Sequence, residues 1–225
     1  MAQNPWPHVS LVFPEHDADA AAVLSRAFVA DPLIVAISPE PKEPEERGRR
    51  LTGLFATAIR AHRAAGQPVF GVFDDGRLVA GAVVEGTTHP AAAATIFNGL
   101  MTLPTMVRAV GWDGAWRAIK LVDMLARNHP PKPHLYLNIL GVEPAFQGRH
   151  GGVAILDHLR DLVTARSDLA GVYLETATET NVAYYSRNGY EVIGEFSPLG
   201  VRMWRMFQPR RAVSHGQSQQ RTEPA

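Results

Sequence analysis

The stretch LYLNILGVEPAFQGRHGG, residues 135–152, decides the fold of this 225-residue chain. Its first part, residues 135–142, is an apolar run typical of a buried strand. A glycine-rich turn follows, and after it comes a helical stripe of apolar side chains: Ile155, Leu156, Leu159, Leu162 and Val163. The first turn of a helix carries backbone N–H groups without intrahelical acceptors and a partial positive charge. This strand, turn and helix therefore predict an anion site, and a phosphate-bearing ligand is the first expectation.

The spacing of the turn separates it from other phosphate-binding loops. No Gly-Lys-Ser/Thr follows it, which excludes a P-loop, and the GxGxxG spacing of dinucleotide-binding folds is absent. The turn fits Gln/Arg-x-x-Gly-x-Gly/Ala, with Gln147 first, Gly152 last and His150 at the middle glycine position. In this it resembles the pyrophosphate loop of the GCN5-related N-acetyltransferases (GNAT). Taken alone, the loop leaves a purely structural turn open.

The segment downstream strengthens the resemblance. Leu174-Glu175-Thr176 precedes residues 181–192, NVAYYSRNGYEV. This is similar to the second GNAT signature, in which a strand, an asparagine, a tyrosine-bearing helix and a Gly-aromatic pair follow one another. Residues 141–148 and the Leu-Glu-Thr triplet most closely resemble the puromycin N-acetyltransferase-like branch. The resemblance extends from residue 131 to 207 and is loose upstream of that.

The resemblance implies the GNAT fold, an α/β (α+β) architecture whose mixed central sheet is flanked by helices on both faces, with a helical insertion before the motif strand. The apolar periodicity predicts the order βααββ, insertion, βαβαββ. The first strand is expected at 8–13 and a helix capped by Asp17 follows it. The prolines Pro32, Pro39, Pro41 and Pro44 place a loop before the second helix.

Further along, Asp74-Asp75-Gly76 predicts a hairpin between strands at 69–73 and 78–84. The insertion, about 90–130, is expected to hold two or three helices broken near Pro104 and near Gly111 to Gly114. Either it walls off the acceptor pocket or its tryptophans are core residues. The last strands are expected at 172–175, 191–196 and 201–207. The chain is thus predicted to be a single domain, 1–208, with a disordered tail, 209–225.

Composition excludes several classes of function. Basic and acidic residues balance at 22 each, so neither nucleic acid nor a membrane is an expected partner. The absence of cysteine excludes a disulfide scaffold, a cysteine nucleophile and a thiolate metal site. The nine histidines show no spacing typical of metal ligands, so no metal is expected. No basic start with an apolar stretch and no apolar run of about 18 residues is present, which predicts a cytoplasmic protein.

The resemblance assigns acetyl-CoA as the acyl donor and names the residues that would contact it. Backbone N–H groups of the turn would hold the diphosphate, and Arg149 would add charge. Leu140, Gly141 and Val142 would pair with the pantetheine arm, and the Val142 N–H would polarise the thioester carbonyl. Asn181 would either cap its helix or contact the cofactor. The full cofactor-binding set is Leu140, Gly141, Val142, Gln147, Gly148, Arg149, His150, Gly151, Gly152 and Asn181.

The expected catalytic residues are Tyr185 and Glu175. Tyr185 stands five residues before Tyr190, as the family's tyrosine stands before its Gly-aromatic pair, and a phenol is protonated at pH 7 and can donate to a thiolate. Its neighbour Tyr184 is expected to serve packing. Many family members place a carboxylate on the motif strand, which has none here, so Glu175 is the candidate base or the counter-charge for the acceptor amine. A purely local role, in which the carboxylate satisfies nearby backbone donors, stays open. Glu143 is expected to shape a turn.

These residues predict an acetyl-CoA-dependent N-acyltransferase that acts on a primary amine of a small molecule, by direct attack in a ternary complex. The alternative is a GNAT-fold module that binds acyl-CoA without turnover, favoured by His150 in place of glycine and by the missing strand carboxylate. Exposed apolar surface on the insertion would suit a homodimer.

Overall fold

The computed structural model describes residues 7–38, 44–86 and 92–211, with the side chains of 44–45 and 92–101 left out. The strands are β1 (Val9–Leu11), β2 (Val69–Asp74), β3 (Arg77–Glu85), β4 (Leu135–Val142), β5 (Gly171–Thr176), β6 (Glu191–Phe196) and β7 (Met203–Pro209). The α-helices are α1 (Asp17–Phe28), α2 (Pro32–Ile37), α3 (Pro44–Ala64), α4 (Ala92–Ala126), α5 (Gly151–Thr164) and α6 (Glu179–Arg187). Short 3-10 helices lie at Pro14–His16, Pro144–Phe146 and Pro198–Gly200.

All seven strands form one mixed sheet in the order β1-β2-β3-β4-β5-β7-β6. The β4–β5 pair is parallel and the other neighbours are antiparallel. Apolar side chains of α5 pack on one face of the sheet, which we call the α5 face. Those of α1 and α3 pack on the opposite face, the α1 face. The predicted mixed sheet with helices on both faces is confirmed.

The β2–β3 hairpin forms where its turn residues predicted it. Asp75 and Gly76 both have positive φ, 47° and 76°, which suits the two-residue turns that match the twist of paired strands. The start of α1 differs from the prediction. His16 is its N-cap, whereas Asp17 lies inside the helix and accepts a 2.5 Å hydrogen bond from Arg63 of α3.

Helix α2 was not predicted, although Asp31-Pro32 carries its start signal. Asp31 caps it by accepting from the backbone N–H groups of Leu33 and Ile34, and Pro32 occupies the first turn. Pro39 and Pro41 lie outside the described residues, as do residues 212–225 of the predicted tail.

The insertion forms α4, a pair of helices joined at Gly111, whose φ of 74° interrupts the helical backbone. Pro104 lies within helical backbone, so the predicted break there is wrong. Trp112 and Trp116 are 73% and 59% exposed, so the interpretation of these tryptophans as core residues is wrong as well.

Strands β4 and β5 separate almost as soon as they meet. Their parallel pairing covers Leu135 with Val172 and Tyr136 with Tyr173. β3 follows β4 along its other side as far as Val142, with a register shift that leaves Asn138 as an extra residue, a β-bulge. Beyond Tyr136, the edge of β4 that faces β5 therefore has no strand partner among the described residues. This splay places a free backbone edge beside the start of α5.

Candidate active site

A cleft of about 780 Å³ lies at the open end of the splay, bounded by the end of β4, the first turns of α5 and α6, and the α1–α2 connection. Its walls include nine of the ten predicted cofactor contacts, namely Leu140, Gly141, Val142, Gln147, Gly148, His150, Gly151, Gly152 and Asn181. Arg149 lines a neighbouring, smaller cavity and lays its guanidinium over the Phe146 ring, 4.9 Å from the ring centroid. The glycine-rich turn and the strand edge thus share one cavity.

The N-terminus of α5 opens into this cleft. The Ala154 N–H donates to the His150 carbonyl at 2.9 Å, so the N–H groups of Gly151, Gly152 and Val153 have no acceptor within the helix. His150 is the N-cap residue, with a φ of 64° in the left-handed region that glycine usually occupies. Its side chain is exposed at the edge of the cleft, so the imidazole leaves the cavity open.

The backbone of β4 also turns donors toward the splay. The Glu143 N–H donates to the Val79 carbonyl of β3 at 2.9 Å. Because successive N–H groups of a strand point to opposite sides, the Val142 N–H faces away from β3, toward the splay. The Leu140 N–H, two residues earlier, faces the same way.

Gly152 permits a close approach between α5 and α6. A Cβ atom at this position would lie 2.6 Å from the Tyr184 hydroxyl oxygen. Tyr184 packs against the core of the α5 face, as expected, and it also lines the cleft. Burial, together with the charge of Asp157, raises the pKa of Tyr184 to about 12.

Tyr185 is buried and lines the same cleft. Its ring contacts those of Tyr184 and Tyr190, with centroids 5.3 and 5.7 Å away. Burial raises the pKa of Tyr185 well above its usual value, and the nearby phenol of Tyr184 and the carboxylate of Asp31 act in the same direction. The phenol therefore stays protonated over the physiological range of pH.

Asn181 does not cap α6. The Thr178 hydroxyl takes that role by accepting from the Asn181 backbone N–H at 3.3 Å. The exposed Asn181 side chain lines the cleft instead.

Glu175 lies on the α1 face of the sheet, just past the last β4–β5 pair. Its Oε1 accepts from the Tyr173 hydroxyl at 2.8 Å, and the Tyr136 hydroxyl also bonds to the carboxyl group. Burial raises the pKa of Glu175 to about 7, although the two phenol hydrogen bonds and Arg205, its cross-strand neighbour, pull the pKa down. It is not among the residues that line the cleft. Among the described residues its hydrogen-bond partners are phenols, so a role in satisfying backbone donors has no support.

Glu143 does more than shape its turn. Its carboxylate is 6% exposed and accepts from the Arg26 guanidinium of α1 at 2.6, 2.9 and 3.0 Å. This ion pair ties α1 to the end of β4. Gly141 contributes to the same contact, because a Cβ there would meet Leu24 of α1 at 2.7 Å.

Sequence reasoning missed one polar group on the α1 face, which joins His62, Glu85 and Asn138. These residues come from α3, β3 and β4, and no local pattern connects positions separated by 23 and 53 residues. The described residues contain no group of three or more His, Asp or Glu side chains arranged to hold a metal ion. They also contain no helix long and apolar enough to cross a membrane.

Comparison with known proteins supports the fold assignment. No protein-family model matches the chain. A Corynebacterium glutamicum structure, described as histone acetyltransferase HPA2 and related acetyltransferase, is 22% identical, with a TM-score of 0.68 over 93% of this chain and 99% of that one. A GCN5-related N-acetyltransferase from Rhodopseudomonas palustris is 16% identical, with a TM-score of 0.51 over 93% and 98%. The Drosophila melanogaster polyamine N-acetyltransferase is 14% identical, with a TM-score of 0.55 over 89% and 97%. At these identities the likeness establishes that the chain has the GNAT fold.

Proposed function

We propose that this protein is an acetyl-CoA-dependent N-acyltransferase of the GNAT superfamily, which acetylates a primary amine by direct attack in a ternary complex. The observation that carries the proposal is the union, in one cleft, of a splayed strand edge and an open helix N-terminus. The first suits an extended amide-bearing chain and the second suits a diphosphate. Coenzyme A carries both groups in one molecule.

The residues present fit this donor. The N–H groups of Gly151, Gly152 and Val153 would hold the diphosphate, and the open αL turn at Gly148 lets it approach the backbone. The N–H groups of Leu140 and Val142 face the splay and would pair with the pantetheine arm. The Val142 N–H, farther along the strand, would donate to the thioester oxygen as negative charge develops there.

The candidate base and acid lie on opposite faces of the sheet at the splay. Glu175, on the α1 face, accepts a proton from the acceptor's ammonium group directly or through water, which leaves the neutral amine free to attack. With a pKa of about 7 it is ionised in an appreciable fraction of molecules at neutral pH and still basic enough to act. As the nitrogen–carbon bond forms and the carbon–sulfur bond breaks, Tyr185 donates its phenolic proton to the departing thiolate. The amine thus enters on one side of the splay and the thiol leaves on the other.

The acceptor belongs to the amines as a class. The similar structures include one described as a histone acetyltransferase and a polyamine N-acetyltransferase, so one fold serves different amines. A small primary amine, as in the puromycin N-acetyltransferase-like branch, is the acceptor we expect on the strength of residues 141–148.

Two measurements test the proposal in sequence. Calorimetric titration with acetyl-CoA should give one-to-one binding, and no binding at about millimolar concentration rejects the assignment. A screen of primary amines, monitored by release of free thiol, should then identify acceptors. Binding without thiol release across a broad panel would instead support an acyl-CoA-binding module without turnover.

A further inference from the structure

A charged bridge lies between α3 and the motif strand. Glu85 Oε1 accepts from His62 Nε2 at 2.9 Å and from Asn138 Nδ2 at 2.6 Å. On the other side of its ring, His62 Nδ1 lies 2.8 Å from the Ala58 carbonyl oxygen. We call His62, Glu85 and Asn138 the His62 bridge.

The bridge attaches to the bulge of β4. Val83 pairs with Ile139 and Val84 with Leu137, so Asn138 is the extra residue between them. The last β4–β5 pair, Tyr136 with Tyr173, lies just before this point. The His62 bridge therefore holds the residue at which β4 leaves β5 and its free edge begins.

The two acceptors beside the ring favour a proton on both nitrogens of His62. The Ala58 carbonyl oxygen can only accept, so Nδ1 donates to it. The carboxylate of Glu85 can also only accept, so Nε2 donates as well, which makes the ring an imidazolium. Asn138 Nδ2 lies 3.2 Å from the same nitrogen. Without its proton, Nε2 would accept from the Asn138 amide while its lone pair faced the Glu85 carboxylate at 2.9 Å, and the link between His62 and Glu85 would be lost.

The surrounding charges favour this state. Burial works to lower the pKa of His62, but the hydrogen bond to Glu85, that to Ala58 and the charge of Glu85 outweigh it and raise the pKa. Burial works to raise the pKa of Glu85, but the hydrogen bonds of His62 and Asn138, with the charge of His62 and a contribution from His129, lower it. The ion pair is thus present below the raised pKa of His62 and is lost as the pH rises through it.

We propose that the His62 bridge is a positioning device for the acyl donor, in which protonated His62, through Glu85, fixes the Asn138 bulge and with it the strand edge at residues 140–142 that receives the pantetheine arm. This inference rests on the proposed function, because it assigns the bridge a task in binding that donor. The bridge has no part in holding the diphosphate, since Gly151, Gly152 and Val153 belong to α5, which packs on the other face of the sheet.

The test compares two ligands that differ in the arm. Coenzyme A carries the adenosine, the diphosphate and the pantetheine arm, whereas ADP carries the adenosine and the diphosphate without the arm. Calorimetry on wild type, Glu85→Gln and His62→Asn measures both dissociation constants at pH 7. We expect each variant to bind coenzyme A about tenfold more weakly, because one charge-assisted hydrogen bond is lost, and to bind ADP as wild type does. Glu195→Gln, an exposed acid-to-amide change on β6, is the matched control and should alter neither constant.

A pH series on the wild-type protein needs no substitution. As the pH rises above the ordinary histidine pKa of 6.5 and through the raised pKa of His62, the preference for coenzyme A over ADP should fall because His62 loses its proton. In both variants the preference should be independent of pH. Equal weakening of the two ligands in the variants, or a wild-type preference that does not change with pH, overturns the inference. Failure of the wild-type protein to bind coenzyme A at all would instead overturn the proposed function.

Discussion

Replacing Glu175 with glutamine should lower activity and raise stability at the same time. The carboxyl group has a pKa of about 7 in the folded protein against an ordinary 4.5, mainly because it is buried. A difference of this size corresponds to roughly 3 kcal/mol. Since the folded pKa is raised, the folded state keeps the proton that the unfolded state has already lost. Wild-type stability therefore falls as the pH rises from the unfolded value through the folded one.

Glutamine keeps the shape of the side chain and removes this titration. At each pH we compare the free energy of unfolding of Glu175→Gln with that of wild type. The difference, variant minus wild type, should be roughly 2 to 3 kcal/mol larger at about pH 8 than at about pH 5. Urea unfolding at the two pH values measures it. In the wild-type protein, kcat/KM should decrease as the pH falls through about 7, where Glu175 takes up its proton. In the Glu175→Gln variant this decrease should disappear, and the rate should be about a hundredfold or more lower, as expected for the loss of a general base.

The control is Glu195→Gln, because the hydrogen bond from Arg202 lowers the pKa of that exposed carboxyl group. Because the pKa of Glu195 is lowered in the folded protein, its carboxylate stabilises the fold as the pH rises, the opposite of Glu175. Relative to wild type, Glu195→Gln should therefore gain no stability as the pH rises. The reasoning about Glu175 is refuted if Glu175→Gln shows the same pH dependence of unfolding as wild type, or if it retains the acidic limb of activity.

Three further predictions follow from individual contacts. Tyr185→Phe should lower kcat about a hundredfold while the dissociation constant of acetyl-CoA measured by calorimetry stays the same; an unchanged kcat removes Tyr185 as the acid. Gly152→Ala should weaken coenzyme A binding, because the added Cβ would lie 2.6 Å from the Tyr184 hydroxyl and push that ring into the cleft. Adding Tyr184→Phe should restore the affinity. A double variant that binds as weakly as the single one contradicts this cause. Glu143→Gln removes the buried charge that holds Arg26, so it should lower the free energy of unfolding, measured in urea, by about 2 kcal/mol. The control is Asp168→Asn, in the exposed pair with Arg166, which should have a much smaller effect.

The parts of the fold that the sequence predicted are those encoded locally. The apolar run of β4, the positive-φ pair Asp75-Gly76 and the apolar stripe of α5 each lie within a few residues, and each forms as expected. The glycine-rich turn opens into a cleft for the same reason, because the start of a helix fixes where its free N–H groups point.

The polar group on the α1 face was not predicted, because it depends on contacts between distant residues. His62 and Asn138 are 76 positions apart, and the bulge that brings Asn138 to Glu85 is a property of strand pairing rather than of composition. The missing carboxylate of the motif strand illustrates this most clearly. β4 itself carries none, yet the neighbouring strand β3 places the Glu85 carboxylate 2.6 Å from the Asn138 amide.

Likewise, the exposure of Trp112 and Trp116 follows from how the second half of α4 packs, which apolar periodicity alone does not determine.

Amide NMR during titration with acetyl-CoA shows directly whether backbone amides of the turn and of β4 hold a diphosphate-bearing thioester. The N–H signals of Gly151, Gly152 and Val142 should shift together, saturate at one equivalent and shift farther than those in β1 and β6. Saturable binding that leaves these three signals in place would contradict it.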